Sequence, residues 1–152
     1  MRKINFLNLG QHPITNNFIS QKNPKNEFFY NLKLVYNPNN KLISLGQFVP
    51  PKKMFNEKYA HRASASKTMQ IAYKKLATKL KKKFKPTSVL EIGSNDGVFI
   101  KHFSKIKNIG VEPCKNLANI TSKMKIKTYD KFWTMHLSNK ISKKHGKFDV
   151  IY

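Results

Sequence analysis

The feature that most constrains the fold is a regular alternation of strand-like and helix-like segments after Pro86. The predicted strands cover residues 88–92, 108–112, 126–129 and 148–152, and the predicted helices cover residues 98–106, 117–124 and 133–144. Such alternation requires right-handed crossovers and a parallel sheet that is covered by helices on both faces. The sequence therefore predicts an α/β domain over residues 86–152.

A different pattern precedes this domain. Residues 1–50 are rich in turn formers, and apolar residues alternate with polar ones at residues 32–35 and 41–45. These two segments predict short strands on either side of the turn at residues 37–40. We therefore expect a small β-containing module at the N-terminus.

Residues 51–85 connect the two parts and contain an amphipathic helix. Apolar side chains recur at steps of three and four from Ser66 onward, Ser64 or Ser66 supplies an N-cap, and Pro86 follows the end. The opposite face carries Lys74, Lys75, Lys79, Lys81, Lys82 and Lys83. We interpret this lysine run as the solvated face of a packed helix, in preference to a phosphate-binding surface.

The charge of the chain favours a nucleic-acid binder at first. Among 152 residues, 30 are Lys or Arg and 7 are Asp or Glu, so the formal net charge is +23. However, only Arg2 and Arg62 are arginines, whereas sites for phosphates and base edges tend to use the bidentate Arg fork. A joint excess of Lys, Asn, Ile and Phe indicates compositional drift, and this interpretation disfavours nucleic acid as a partner.

Other classes of protein are also disfavoured. No run of 18 apolar residues is present, and the N-terminus lacks a secretory leader pattern, so we expect a cytoplasmic protein without a membrane partner. Cys114 is the single cysteine, which excludes an intramolecular disulfide and a multi-cysteine zinc site. Its expected role is packing, since no base partner is evident.

The segment from Val89 to Phe99 carries the clearest chemical signal. An apolar strand runs into a turn with Gly93 and Gly97, and the predicted helix follows at once. The glycines permit a tight turn and a close backbone approach, and ligands of parallel sheets bind at the carboxyl ends of the strands. Glu112 ends the next strand, where an acidic residue can accept hydrogen bonds from ribose hydroxyls. The combination favours a site for an adenosine-containing ligand over a glycine turn that binds no ligand.

These residues resemble a known family. Residues 91–97, Glu-Ile-Gly-Ser-Asn-Asp-Gly, are similar to the first cofactor motif of class I S-adenosylmethionine-dependent methyltransferases, in the variant typical of the sugar C-methyltransferase group. Residues 110–118 are similar to that group's Gly-Ile-Glu-Pro segment. Residues 9–18 resemble the signature of its N-terminal zinc-binding-type domain, and residues 59–66 resemble its linker, with His61 replacing a tyrosine.

The resemblance implies a Rossmann-like methyltransferase fold and an enzyme that transfers a methyl group from S-adenosylmethionine to carbon of a nucleotide-linked keto-sugar. The cofactor-binding residues implied are Glu91, Gly93, Ser94, Asn95, Asp96, Gly97, Glu112 and Phe132. Tyr59 and His61 would face the sugar. The catalytic residues of the group are expected downstream of Tyr152, so the resemblance implies a truncated chain that is inactive alone.

Two alternatives remain beside this interpretation. The chain could be a Lys-rich module that binds nucleic acid or an anionic surface, or a fragment in which no function survives.

No zinc is expected in the degenerate module, because Asn37 and Asn40 stand where the family has a cysteine pair, and the other pair would precede Met1.

Overall fold

The chain divides into two compact units, Met1–Phe55 and Asn56–Tyr152, in the computed structural model. The structure describes residues 3–19 and 27–152. Each unit has its own sheet, and each is treated by itself below.

The first unit is a three-stranded antiparallel sheet in the order β1-β2-β3. Its strands are β1 (Ile4–Pro13), β2 (Phe29–Asn37) and β3 (Leu42–Leu45). The predicted hairpin is confirmed as β2 and β3, whereas β1 was not predicted. The register of β1 shifts between Asn5 and Leu7 and again between Asn8 and Gln11, and Gly10 has a φ of +78°. These irregularities interrupt the two-residue period from which a strand is predicted.

Two asparagines shape the turn between β2 and β3. The Asn37 Oδ1 accepts a hydrogen bond of 3.0 Å from the Asn39 N–H, and the Asn40 Oδ1 accepts one of 3.1 Å from the Leu42 N–H. Each of these side chains binds the backbone N–H of the residue two positions later. Such contacts stabilise a turn without a metal ion.

Helices α1 (Pro51–Met54) and α2 (Lys67–Phe84) follow. Ser66 is the N-cap of α2, since its Oγ accepts a hydrogen bond of 3.3 Å from the Met69 N–H. The helix ends at Lys85, which has a φ of 43°, and Pro86 prevents its continuation. The apolar face of α2 contributes Ala77 to a buried core with Val89, Phe99 and Phe103.

The second unit contains a four-stranded parallel sheet in the order β6-β5-β4-β7. Its strands are β4 (Ser88–Ile92), β5 (Lys107–Val111), β6 (Lys127–Tyr129) and β7 (Val150–Ile151), and its long helices after β5 are α3 (Lys115–Lys123) and α4 (Met135–His145). The predicted α/β class is therefore confirmed. The first strand of this sheet, β4, lies between the second, β5, and the fourth, β7.

One predicted helix is wrong. Residues 98–106 were expected to form a helix, but only a short 3₁₀ turn is present, at Ile100–Phe103. Val98, Phe99, Ile100 and Phe103 are all at most 2% exposed. A surface helix buries one stripe and leaves the opposite side to solvent, so a run of consecutive buried residues suits a compact connection better.

Among the described residues, no helix combines the length and the apolar character that crossing a membrane requires.

Candidate functional site

The carboxyl ends of β4 and β5 meet at a loop formed by residues 93–97, here called the glycine loop. The Gly93 and Ser94 N–H groups both donate to the Val111 carbonyl, at 2.7 and 3.1 Å. These bonds hold the start of the loop against the end of β5. The segment that the sequence indicated therefore lies at the carboxyl edge of the parallel sheet, where ligands of such sheets bind.

The two glycines of the loop are needed for different reasons. Gly93 has a φ of +77° and open space where a Cβ would lie, with no atom within 4 Å. Gly97 has a φ of +78°, and a Cβ there would lie 3.0 Å from the side chain of Thr121 on α3. Gly93 thus leaves an accessible stretch of backbone at the edge, whereas Gly97 permits close packing of the loop on α3.

Glu112 follows β5 directly and is 4% exposed. Its Oε2 accepts a hydrogen bond of 2.8 Å from the Asn95 N–H, and its Oε1 accepts one of 2.8 Å from the Cys114 N–H. A carboxylate has about four acceptor positions, so these two backbone bonds do not fill it. The backbone therefore fixes the carboxylate in orientation without exhausting its capacity to bind neighbouring hydroxyl groups.

Glu91 is also buried, on β4, and its Oε2 accepts a hydrogen bond of 3.1 Å from the Ile100 N–H. Burial raises the pKa of Glu91 to about 8; the Ile100 N–H opposes this rise, and the Glu112 and Asp96 carboxylates add to it. Burial therefore favours the protonated form of Glu91 over a wider pH range than in an exposed glutamate. Its observed contact positions the start of the 3₁₀ turn behind the glycine loop.

The Asn95 side chain binds a segment far away in sequence, residues 59–65, here called the strap. The Asn95 Oδ1 accepts a hydrogen bond of 2.9 Å from the Ala63 N–H, and its Nδ2 donates to the His61 carbonyl at 3.3 Å. Both carboxylate oxygens of Asp96 lie 3.3 Å from the Ser64 N–H, which donates to them. These two predicted cofactor residues thus hold the strap with their side chains.

Ser94 lies under the loop and is 1% exposed. A Cβ on Gly110 would approach the Ser94 Oγ to 2.9 Å, so the hydroxyl packs on the bare backbone of β5. Within the described part of the chain the Ser94 Oγ has no hydrogen-bond partner. Its predicted contact with a cofactor therefore requires the ligand to reach below the loop.

The remaining predicted residues are less closely grouped. The rings of Tyr59 and His61 in the strap meet edge to face, with centroids 6.3 Å apart, and His61 is exposed. Phe132 is half-buried between β6 and α4. Its neighbour Trp133 lines a cavity of about 290 Å³ beside α4 and β7.

Two site residues were missed by the sequence analysis, Asn116 and Thr121 on α3. The Asn116 Nδ2 donates to the Tyr59 carbonyl at 2.8 Å, and the Thr121 Oγ1 donates to the Asn95 carbonyl at 3.2 Å. Neither contact has a local signature, because the partners are 57 and 26 residues apart.

Cys114 is fully buried, and burial together with the Glu112 carboxylate raises the pKa of its thiol to about 12, in keeping with a packing role.

The first unit does not offer a zinc site among its described residues. Across residues 3–19 and 27–152, no group of three His, Cys, Asp or Glu side chains lies close enough to hold a metal ion. Asn37 and Asn40, which stand at the positions of a cysteine pair in the resembling family, bind the turn backbone instead. The donor chemistry of these residues does not fit zinc.

Comparison with known proteins gives two family matches. A family model described as "Methyltransferase domain" matches residues 59–152, and one described as "Putative zinc binding domain" matches residues 1–55. No curated protein matches the chain.

One solved structure similar to the chain is the crystal structure of the plantazolicin methyltransferase BamL in complex with triazolic desmethylPZN analog and SAH. Its sequence identity is 24% and its TM-score is 0.35. The match covers 44% of this chain and 29% of that chain. This chain therefore spans less than a third of the length of that protein.

Proposed function

Because this chain belongs to the methyltransferase domain family, we propose that its second unit binds S-adenosylmethionine and serves methyl transfer. The single observation that carries the proposal is the fixed Glu112 carboxylate at the end of β5, beside the open backbone at Gly93. An acidic residue at this place in a parallel sheet is suited to two adjacent ribose hydroxyls.

The residues present fit such a ligand. Glu112 would accept the hydroxyl hydrogen bonds on the acceptor positions that the backbone leaves open, and Gly93 would let the adenosine or methionine part approach the backbone without a side chain in the way. Phe132, which is half-buried after β6, is our candidate for a contact with the adenine ring. Glu91 would act indirectly, by holding the 3₁₀ turn under the loop.

When bound, S-adenosylmethionine supplies a methyl group that its sulfonium charge already activates. The contribution of the chain is then to hold and orient. Glu112, the glycine loop and the strap would place the reacting groups side by side, and such placement lowers the barrier by removing translational and rotational freedom in advance.

We further propose that the acceptor is a carbon of a nucleotide-linked keto-sugar. This finer assignment is supported by the resemblance of residues 9–18 and 59–66 to the sugar C-methyltransferase group. Tyr59 and His61 are the residues proposed to face the sugar, and His61 is exposed beside the site. Carbon methylation also needs a base that removes a proton beside the ketone.

Calorimetry with S-adenosylhomocysteine tests the cofactor proposal. We expect saturable one-to-one binding to this chain, weaker binding of adenosine, and no binding of the methionine half alone. Measurement at two salt concentrations separates this site from the lysine surface, because binding of phosphates to lysines falls steeply with salt and binding of a nucleoside through hydrogen bonds does not. Absence of any heat with S-adenosylhomocysteine at millimolar concentration would contradict the proposal.

A further inference from the structure

The strap is held at the site mainly by polar contacts with its backbone. Of its residues, only Ala63 is buried, whereas His61, Arg62 and Ala65 are exposed. Apolar burial therefore contributes little to its placement. Hydrogen bonds to its backbone therefore contribute most to holding it there.

These hydrogen bonds come from three places, one of which is α2, where the Gln70 Nε2 donates to the Ser64 carbonyl at 2.6 Å. Asn95 and Asp96 in the glycine loop bind the N–H groups of Ala63 and Ser64. Asn116 at the start of α3 binds the Tyr59 carbonyl at 2.8 Å. The strap is therefore fixed at both ends, and its central contact is made by the loop.

Asn95 connects the strap to Glu112, because its side chain binds one of them and its backbone binds the other. Its side chain binds the strap, while its backbone N–H donates to the Glu112 Oε2 and its carbonyl accepts from the Thr121 hydroxyl. Its φ of 49° is in the left-handed region, which an Asn adopts more readily than most residues. A displacement of the loop or of Glu112 would be transmitted directly to the strap.

We propose that Asn95 is a positioning residue that couples ligand binding at Glu112 and the glycine loop to the placement of the strap. An occupied site stabilises the loop, the loop holds the strap, and the strap sets Tyr59 and His61 beside the acceptor. This inference rests on the proposed function, since it takes the ligand to be S-adenosylmethionine or its product.

The sequence offers a direct probe of the strap. Arginine occurs only at positions 2 and 62, so an arginine-specific protease cuts near the site only at the Arg62–Ala63 bond. The N–H of that peptide bond belongs to Ala63, and it donates the hydrogen bond that the Asn95 Oδ1 accepts. Cleavage requires local opening of the strap, so the rate of cleavage reports how firmly Asn95 holds it.

The decisive variant is Asn95→Gly. Glycine keeps the left-handed backbone and the N–H bond to Glu112 but removes both strap contacts. We expect cleavage after Arg62 to accelerate by about 5-fold to 100-fold in the ligand-free protein, the range for losing two hydrogen bonds. Asn116→Ala, which removes a strap contact without touching the loop, should also accelerate cleavage.

The matched control is Asn108→Ala. Asn108 likewise makes two side-chain hydrogen bonds, to the Phe103 and Ile106 carbonyls, but it lies at the amino end of β5 and does not contact the strap. Its cleavage rate should equal that of the wild type. If the Asn95→Gly variant is also cleaved at the wild-type rate, Asn95 does not hold the strap.

The coupling is tested by adding S-adenosylhomocysteine. We expect saturating ligand to slow cleavage of the wild type at least several-fold, and to give no protection to Asn95→Gly even where calorimetry shows that this variant still binds. Equal protection of both proteins would overturn the coupling. Absence of binding to the wild type in calorimetry would overturn the proposed function and the coupling with it, whereas the ligand-free rates would still decide whether Asn95 holds the strap.

Discussion

The Glu112 Oε2 accepts a hydrogen bond of 2.8 Å from the backbone N–H of Asn95, a residue 17 positions earlier in the chain. This bond ties the end of β5 to the glycine loop that follows β4. The carboxylate is thereby oriented before any ligand arrives, which reduces the entropy that a ligand would otherwise lose on binding.

Replacement of Glu112 should therefore weaken ligand binding. We expect Glu112→Ala to cost about 1.5–3 kcal/mol of affinity for S-adenosylhomocysteine, the range for hydrogen bonds to a charged group. Calorimetry measures the effect, and Glu57→Ala provides a control that removes an exposed carboxylate of the same unit. Equal affinity in the wild type and Glu112→Ala would show that this carboxylate does not hold the ligand.

The two glycines of the loop should respond differently to substitution by alanine. Gly93→Ala introduces left-handed strain of about 1–2 kcal/mol but meets no neighbouring atom, so its larger effect should be on ligand affinity. Gly97→Ala adds an overlap with Thr121 to the same strain, so it should lower stability by about 2–4 kcal/mol. Denaturant unfolding and calorimetry on both variants check this pair of expectations. Greater loss of stability in Gly93→Ala than in Gly97→Ala would contradict it.

The protonated state of Glu91 should make stability depend on pH. The folded pKa of about 8 is higher than the ordinary value of 4.5, so the stability contributed by Glu91 is fully present below pH 4.5 and is lost as the pH rises towards 8. The free energy of unfolding should fall by up to about 1.4 kcal/mol per pH unit in this window.

Glu91→Gln should remove that dependence, because the amide resembles the neutral acid and keeps an oxygen for the Ile100 N–H. Urea unfolding at pH values from 5 to 8 measures the slopes. The control is Glu57→Gln, in which an exposed carboxylate changes in the same way. A slope in Glu91→Gln equal to that of the wild type would mean that another group titrates.

The N-terminal unit should fold without zinc. Its hairpin turn is stabilised by the Asn37 and Asn40 side chains, which occupy the positions where the resembling family has thiolates. Metal analysis of the purified protein should find no stoichiometric zinc, and a chelator should leave the thermal transition unchanged. Asn37→Ala should destabilise the unit by about 1 kcal/mol, the typical contribution of one hydrogen bond. A zinc ion that survives the chelator would show that other ligands were overlooked.

Local pattern alone was enough to predict most of the strands and helices of the second unit. The apolar runs of β4 and β5, the helical period of α2 with its cap at Ser66, and the glycines after β4 each depend on residues near one another in sequence. Each of these features follows from backbone geometry that neighbouring residues impose directly.

Only the tertiary structure decided what those elements do to each other. The bulged strand β1 depends on pairing with β2, and the 3₁₀ turn at Ile100–Phe103 stands in place of a helix where Val98, Phe99 and Ile100 are buried in succession. The bonds from Asn95 to the strap join residues more than 30 positions apart. No periodic signal marks such pairs, because a single hydrogen bond between distant segments forms only after the chain has brought both of them to the same edge of the sheet.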